Sequence, residues 1–195
     1  MHTNTALAEL WETVNECEAC ALATGRTNVV LGKGNPDADI MIIGEAPGEE
    51  EDKAGIPFVG RAGKLVDKAL EYAGKSLDDV YICNTVKCRP PNNRNPFTYE
   101  LYACRGYLNA QIWIVQPKIL ITLGKIATYE IIPVSPAVQK KSFINFLKQR
   151  PYTRHNRVIL PEYHPSYIIR SPSKEEDWLN RMKEALNYEV GTSDR

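Results

Sequence analysis

The sequence lacks any apolar run long enough to cross a membrane. A transmembrane helix needs about 18 consecutive apolar residues. The longest runs here, Ile40–Ile43 and Ile119–Leu123, have only the length of a strand. The first residues, Met1–Glu12, carry two glutamates and lack the basic start and apolar stretch of a signal peptide. We therefore expect a cytoplasmic protein without a membrane partner.

The sequence also lacks an excess of charge of either sign. Lys and Arg total 24, and Asp and Glu total 24, so the net charge is zero. A strongly basic protein that coats nucleic acid is disfavoured, but a local basic face is not, because phosphate binding depends on where charges lie. The local basic residues are Lys87, Arg89, Arg94 and Arg105, and then Arg150, Arg154, His155 and Arg157. Either group alone fits a solvated surface equally well.

Internal repeats and low-complexity linkers are absent as well. The 195 residues are 43% hydrophobic and 25% charged, an ordinary balance for a globular protein with a sizeable core. We therefore predict one domain over residues 1–195.

Four short β-rich segments are separated by helical patterns. The predicted strands are Ile40–Gly44, Val80–Val86, Ile119–Leu123, and Val158–Leu160 continuing toward His164. The predicted helices are Gly60–Tyr72, Thr98–Val115, a stretch around Lys125–Ile132, and Pro172 to about Tyr188. Continuous apolar strands that alternate with helices predict an α/β fold with a mainly parallel sheet of about four strands. The region Pro133–Tyr152 shows no clear pattern.

Polar residues follow the predicted strands where a ligand would bind. In open parallel sheets, ligands bind beyond the carboxyl ends of the strands. Glu45 follows the first strand, Asn84 lies near the end of the second, and His164 follows the fourth. We therefore expect a carboxylate, an amide and an imidazole to converge on one edge of the sheet.

Five cysteines in a cytosolic chain point to metal binding or catalysis before disulfides. Cys17 and Cys20 form a CxxC pair, and Cys88 and Cys104 lie far downstream. Four thiolates suit either tetrahedral zinc or an iron–sulfur cluster, and the spacing alone slightly favours zinc. A set of unrelated buried thiols is the structural alternative. Cys83, inside a predicted strand, is interpreted as a core residue.

Four separated motifs resemble those of the family 4, iron–sulfur-containing uracil-DNA glycosylases. They are Gly44–Asp52, Gly55–Gly63, Tyr81–Pro91 and His164–Arg170, in the family's order along the chain. The resemblance implies a three-layer αβα sandwich and hydrolysis of the N-glycosidic bond of uracil in DNA. It also implies a [4Fe-4S] cluster on Cys17, Cys20, Cys88 and Cys104, which reverses the preference for zinc.

A related class cross-links covalently to the abasic product through a histidine that follows the second strand. The corresponding segment here, Arg89–Pro96, contains no histidine. The resemblance therefore implies a monofunctional glycosylase that turns over.

The resemblance also implies a uracil pocket and two catalytic residues. The predicted pocket residues are Gly44, Glu45, Ala46, Phe58, Asn84 and His164. Phe58 would stack on the base, and the Asn84 amide, which has both a donor and an acceptor, would distinguish uracil from cytosine. His164 would donate to uracil O2, and Glu45 would stabilise the cationic sugar or orient water. The acidic run Glu49–Asp52 offers rival carboxylates.

We expect DNA contacts on both sides of this pocket. The predicted DNA-binding residues are Lys87, Arg89, Ser166, Tyr167 and Arg170, with Tyr167 or Ile168 as the wedge that fills the vacated stack. The expected partner is uracil-containing DNA, single- or double-stranded, bound by a monomer. Three alternatives remain open: a glycosylase for another damaged base, a non-catalytic iron–sulfur DNA-binding module, and a zinc-stabilised enzyme that hydrolyses nucleotides.

Overall fold

A sheet of six strands lies at the centre of the computed structural model, which describes residues 3–135 and 143–191. The strands are β1 (Gly32–Gly34), β2 (Ile40–Gly44), β3 (Val80–Asn84), β4 (Ile119–Leu123), β5 (Tyr152–Arg154) and β6 (Arg157–Glu162). Their order across the sheet is β1-β3-β2-β4-β6-β5. Strands β3, β2, β4 and β6 run parallel, whereas β1 and β5 pair antiparallel at the two edges.

The four parallel strands are those that the sequence predicts. Every residue of β2, β3 and β4 is buried, which explains why these strands read as continuous apolar runs. The predicted second strand ends two residues early, at Asn84, and the fourth extends to Glu162. The edge strands β1 and β5 were not predicted, because three-residue segments with glycine or polar residues carry no apolar pattern.

Helices cover both faces of the sheet. They are α1 (Thr3–Asn15), α2 (Leu22–Gly25), α3 (Glu49–Ala54), α4 (Arg61–Tyr72), α5 (Thr98–Val115), α6 (Lys125–Ile131), α7 (Ile144–Lys148), α8 (Pro165–Ile169) and α9 (Glu175–Leu186). Short 3₁₀ turns lie at Leu77–Asp79, Pro91–Asn93 and Pro172–Lys174. Helices α4, α8 and α9 pack on one face and α1, α5 and α6 on the other, so the three-layer αβα sandwich is confirmed.

Alternation along the strands divides the core into two layers. Ile40 and Ile42 of β2 join the cluster beneath α4 and α9, whereas Met41 and Ile43 join the cluster beneath α1 and α5. This is the period of two that a pleated strand imposes. Trp178 of α9 fills the first layer at 1% exposure, and its indole N–H donates to the Tyr163 carbonyl at 3.0 Å.

The four predicted helices are confirmed, including the short α6, whereas α1, α2, α3, α7 and α8 were not predicted. Helix α5 has both predicted ends, and α4 begins at Arg61, one residue after its prediction. The region without a clear pattern contains α7, and residues 136–142 within it lie outside the described residues. Within the described part of the chain, no helix combines the length and apolar character that crossing a membrane requires.

Candidate active site

A cleft of about 470 Å³ opens at the carboxyl ends of the parallel strands. Most of the predicted site residues line it: Glu45, Ala46, Phe58, Asn84, His164, Ser166, Tyr167 and Arg170. The carboxylate, amide and imidazole expected at one edge of the sheet therefore lie around one space. The parallel pairing of β2 with β3 and β4, and of β4 with β6, brings these strand ends together.

Gly44, the last residue of β2, lies against Phe58 and Asn84 of the cleft, and a larger residue would not fit there. It is paired with Asn84 in the register of β2 and β3. A Cβ atom on Gly44 would lie 2.4 Å from the Asn84 Oδ1 and 2.4 Å from the Phe58 Cζ. The missing side chain thus lets an aromatic ring and an amide approach the same point, although the two residues are far apart in sequence.

Phe58 is held in an unusual backbone conformation. Its φ is +53°, in the left-handed region that non-glycine residues rarely adopt, and its side chain is buried. The Lys33 ammonium on β1 donates to the Phe58 carbonyl at 2.9 Å. The Glu51 Oε1 accepts from the N–H groups of Val59 and Gly60, at 3.0 and 2.8 Å. These contacts fix the two peptide groups that follow Phe58, so the ring forms a well-supported wall of the cleft.

Asn84, the last residue of β3, presents a free amide. It is 2% exposed, and the described residues offer no hydrogen bond to its side chain. Its backbone carbonyl accepts from the Lys87 Nζ at 2.5 Å. The position of the amide is therefore fixed through the main chain, while both of its polar atoms remain available to a ligand.

Lys87 has a different place from the one predicted. It is fully buried, and its ammonium bonds the Asn84 carbonyl. A side chain enclosed in this way cannot reach a phosphate at the surface. The prediction that Lys87 contacts DNA is therefore wrong, and Lys87 instead supports the end of β3. Position in a run of basic residues could not reveal this, because burial depends on the helices packed around the loop.

His164 is the N-cap of α8, and this position determines its tautomer. Its Nδ1 accepts a hydrogen bond from the Ser166 N–H at 3.2 Å. Burial, with a smaller effect of the Arg170 charge, lowers the pKa of His164 to about 4. The imidazole is therefore neutral near pH 7, with its single proton on Nε2, where it can donate to a ligand. Gly124 allows the close approach, since a Cβ there would lie 3.0 Å from the His164 Cβ.

Glu45 is the carboxylate available at the cleft. Its backbone carbonyl accepts from the Thr85 Oγ1 at 2.5 Å, and the described residues give its carboxylate no ion pair or hydrogen bond. Burial raises the pKa of Glu45 to about 6. A carboxylate without partners, partly removed from water, interacts strongly with a positive charge that appears next to it.

The rival acidic residues are engaged in local structure. Glu51 accepts from the backbone N–H of Gly48 before α3 and from those of Val59 and Gly60 before α4, and the buried Asp52 accepts from those of Thr27 and Asn28. Glu49 and Glu50 pair with Lys53 along α3. The acidic run therefore holds loops together.

The residues predicted to contact DNA differ in their exposure and in their hydrogen-bond partners. Arg170 is exposed and has no ion pair among the described residues, and the Tyr167 hydroxyl accepts from the Lys174 Nζ at 2.7 Å. Arg89 lies outside the cleft lining and bonds the Asn93 Oδ1 at 2.8 Å and Glu49 at 3.3 Å. Ile168 is fully buried, so it cannot be the wedge, and Tyr167 remains the candidate.

The loop after β3 supplies cleft residues that were not predicted. Asn93, Arg94 and Asn95 line the cleft. Arg94 makes a two-bond ion pair with Glu100, at 2.7 and 2.8 Å. The run of amides in a proline-rich turn was the available signal, but such a turn is equally typical of any surface loop.

Cys17, Cys20, Cys88 and Cys104 line one cavity on the other side of this loop. The Arg26 Nη1 donates to the Cys88 Sγ at 3.5 Å, and the Ala19 N–H donates to the Cys17 Sγ at 3.5 Å. Cys83 is apart from them and fully buried in β3, as predicted. Within residues 3–135 and 143–191, no three His, Cys, Asp or Glu side chains form a group that could hold a single metal ion.

Comparison with known proteins gives consistent matches over most of the chain. The profile of the uracil DNA glycosylase superfamily matches residues 31–188. A type-4 uracil-DNA glycosylase of Thermotoga maritima is 45% identical over 177 residues, which cover 90% of both chains. The type-4 enzyme of Sulfurisphaera tokodaii is 43% identical over 200 residues, 97% of this chain and 89% of its own. A type-5 uracil-DNA glycosylase of Pyrobaculum aerophilum is 30% identical over 152 residues, 68% of this chain and 63% of its own.

Proposed function

Because the chain belongs to the uracil DNA glycosylase superfamily, and within it to the type-4 enzymes, we propose that it removes uracil from DNA by hydrolysing the N-glycosidic bond. The observation that carries the proposal is the convergence at Gly44, where the Phe58 ring and the Asn84 amide approach one point of the cleft. A flat base can stack on the face of such a ring while its edge bonds to the neighbouring amide. A target base inside a duplex must first be rotated out of the stack, which costs a few kcal/mol.

Recognition of uracil rests on Phe58 and Asn84. The ring stacks on the base, an interaction of about 1–3 kcal/mol that does not depend on the base's identity. The Asn84 amide donates to O4 and accepts from N3–H, whereas cytosine presents the opposite pair of groups. Since the Lys87 bond fixes the end of β3, the amide would be left unsatisfied by the wrong base, which is costly in a buried site.

Departure of the base rests on His164. When the bond between C1′ and N1 breaks, its electron pair moves onto the uracil ring, and negative charge develops at O2. The neutral imidazole donates its Nε2–H there, because its Nδ1 is already bonded to the Ser166 N–H. A donor positioned in advance stabilises the transition state more than the ground state.

Glu45 acts on the sugar. The carboxylate stabilises the positive charge that develops at C1′ and orients the water whose oxygen bonds to that carbon. One proton of the water passes to the carboxylate or to solvent, and the departing uracil anion takes up a proton from solvent. The products are then free uracil and an abasic site. The backbone of Gly44 and Ala46 contacts the bound base, and no covalent intermediate is involved.

The proposal extends to the cysteine cavity. The four cysteines that line this cavity supply the number and type of ligands that a [4Fe-4S] cluster needs. The N–H donors from Arg26 and Ala19 are the kind of contact that stabilises thiolate ligands. Bound there, the cluster would connect the α1–α2 segment to the loop after β3 and to α5.

DNA binding is proposed for the residues around the cleft mouth. Ser166 and Arg170 would hold phosphates next to the flipped nucleotide, Tyr167 would fill the vacated stack, and Arg89 would contact the backbone from the other side. We propose that the protein acts as a monomer in the cytoplasm, on single- or double-stranded DNA that contains uracil.

A cleavage assay tests the proposed function. Protein purified with and without air meets a labelled oligonucleotide that contains one uracil, and alkali then breaks any abasic site. We expect cleavage at uracil, none in cytosine and thymine controls, and loss of cleavage in His164→Ala. A hypoxanthine substrate tests the alternative base range. Folded, cluster-loaded protein that binds DNA without cleaving it would instead identify a binding module.

A further inference from the structure

Three aromatic side chains are exposed at the start of α5. Phe97, Tyr99 and Tyr102 are 50%, 55% and 74% exposed and surround a shallow depression. The Phe97 and Tyr99 rings are stacked, with centroids 5.8 Å apart and an interplanar angle of 29°. We refer to Phe97, Tyr99 and Tyr102 as the aromatic platform. A grouped set of exposed rings is a mark of an interaction site, whereas single exposed rings are ordinary.

Two ion-paired arginines lie against the rings of the aromatic platform. The Arg94 guanidinium lies 3.7 Å from the centre of the Phe97 ring, and that of Arg105 lies 5.8 Å from the Tyr102 ring. Their carboxylate partners lie underneath: Arg94 and Glu100 are 29% and 0% exposed, and Arg105 and Glu130 are 44% and 11% exposed. The surface therefore presents aromatic rings with guanidinium groups against them, and such a surface suits the stacking of flat bases, while the glutamates balance the arginine charges.

The aromatic platform is continuous with the proposed DNA cleft. Arg94 lines the cleft between Asn93 and Asn95 and also covers Phe97. Arg94 is thus shared by the cleft and the aromatic platform. A purely apolar protein partner would not require guanidinium groups against the rings.

We propose that the aromatic platform stacks unpaired bases of the DNA strand beside the flipped uridine, so that it favours single-stranded substrate. The proposal rests on the proposed function, which places a DNA strand in the cleft next to the platform. Bases in a single strand expose their faces to aromatic rings, whereas bases in a duplex are already stacked on each other. Arginine adds stacking and cation–π contact without reading sequence.

The test compares KM for single-stranded substrates of two lengths. The short one carries about two nucleotides on each side of the uracil and the long one about ten, more than one nucleotide-binding groove spans. Variants Tyr102→Ala and Phe97→Ala are compared with Trp113→Ala, which removes an equally exposed ring, 73%, from the far end of the same helix. One-sided extensions, 5′ or 3′, show which flank reaches the platform.

We expect the long substrate to have the lower KM in the wild type. Tyr102→Ala and Phe97→Ala should remove most of that advantage, a change on the order of tenfold, whereas Trp113→Ala and Tyr102→Phe should keep it. An unchanged length effect in both alanine variants would overturn the proposal and favour a protein partner for this surface. Failure of the proposed function is separate, because binding of uracil-free single strands can be measured in protein that does not cleave.

Discussion

At the scale of single residues, Gly44 carries the most stringent constraint in the cleft. Changing Gly44→Ala would place a Cβ atom 2.4 Å from both Phe58 and Asn84, far inside contact distance. We expect uracil cleavage to fall by at least about a hundredfold, since misplacement of about 1 Å has that effect on positioned groups. Circular dichroism and melting would show a folded protein. Gly106→Ala is a matched control, because a Cβ there would meet no atom within 4 Å.

The pH dependence of cleavage follows from two opposite shifts. Burial raises the pKa of Glu45 to about 6, whereas burial and Arg170 lower the pKa of His164 to about 4. The active form has a charged Glu45 and a neutral His164, so kcat/KM should fall about tenfold per pH unit below pH 6. The residual cleavage by Glu45→Gln should not show this fall in kcat/KM at acid pH. If Glu45→Gln showed the same fall, the titration of another group would be its cause.

The raised pKa of Glu45 also predicts a trade-off between activity and stability. Because the folded-state pKa of Glu45 lies above its unfolded value of 4.5, the stability it contributes is complete below pH 4.5 and is lost as the pH rises through about 6. Glu45→Gln, which carries no charge, should therefore increase the free energy of unfolding by about 1 kcal/mol at pH 8, after allowance for partial solvation. Urea unfolding at pH 8 and pH 4.5 tests this. An equal effect at both pH values would mean that ionisation is not the cause.

At the scale of elements, the edge strand β1 supports the cleft from outside it. Its Lys33 crosses to the Phe58 carbonyl and holds a backbone with φ of +53°. We expect Lys33→Met to raise KM for uracil-DNA several-fold more than it lowers kcat, since base binding depends on the ring position while His164 and Glu45 are untouched. Lys33→Arg should recover part of the affinity.

A control distinguishes this role of Lys33 from a general loss of charge. Lys118→Met removes an exposed lysine, 63% exposed and paired with Asp39, from a position remote from the cleft. It should leave KM unchanged. Equal effects of the two variants would indicate long-range attraction of DNA rather than positioning of Phe58.

At the scale of the whole molecule, the cysteine cavity joins parts that are distant along the chain. Cys17 and Cys20 lie between α1 and α2, Cys88 follows β3, and Cys104 is in α5. Removing Cys17 and Cys20 together, or removing iron with a chelator, should lower the melting temperature and expose residues 3–25 to proteases, because the tie between these segments is lost. Iron content and visible absorbance should fall in parallel.

Cys83→Ala is the matched control for the proposed cluster ligands. Cys83 is fully buried in β3 and outside the cavity, so its removal should keep the iron and cost only packing. If it lost iron as the other variants do, the ligand set would need revision. A double Cys17, Cys20 variant that kept its iron and melting temperature would contradict the proposed cluster.

Much of this architecture could be predicted from local sequence patterns. Strands β2 and β4 and helix α5 have the predicted bounds, since apolar periodicity is a property of neighbouring residues and does not need the rest of the fold. The positions of Glu45, Asn84 and His164 after parallel strands were predictable for a related reason. Once strands are parallel, their carboxyl ends meet at one edge.

By itself the sequence determined the fold class, the edge of the sheet that carries the cleft, and the four cysteines that share a cavity. Only the tertiary structure decided which charged residues are available. Lys87 is enclosed, Glu49–Asp52 are engaged, and Glu45 is left free at the cleft. The pair Gly44 and Phe58, and the loop Asn93–Asn95, likewise became site residues through packing. The physical reason is that burial and pairing of a side chain are set by segments remote in the chain, which no local pattern records.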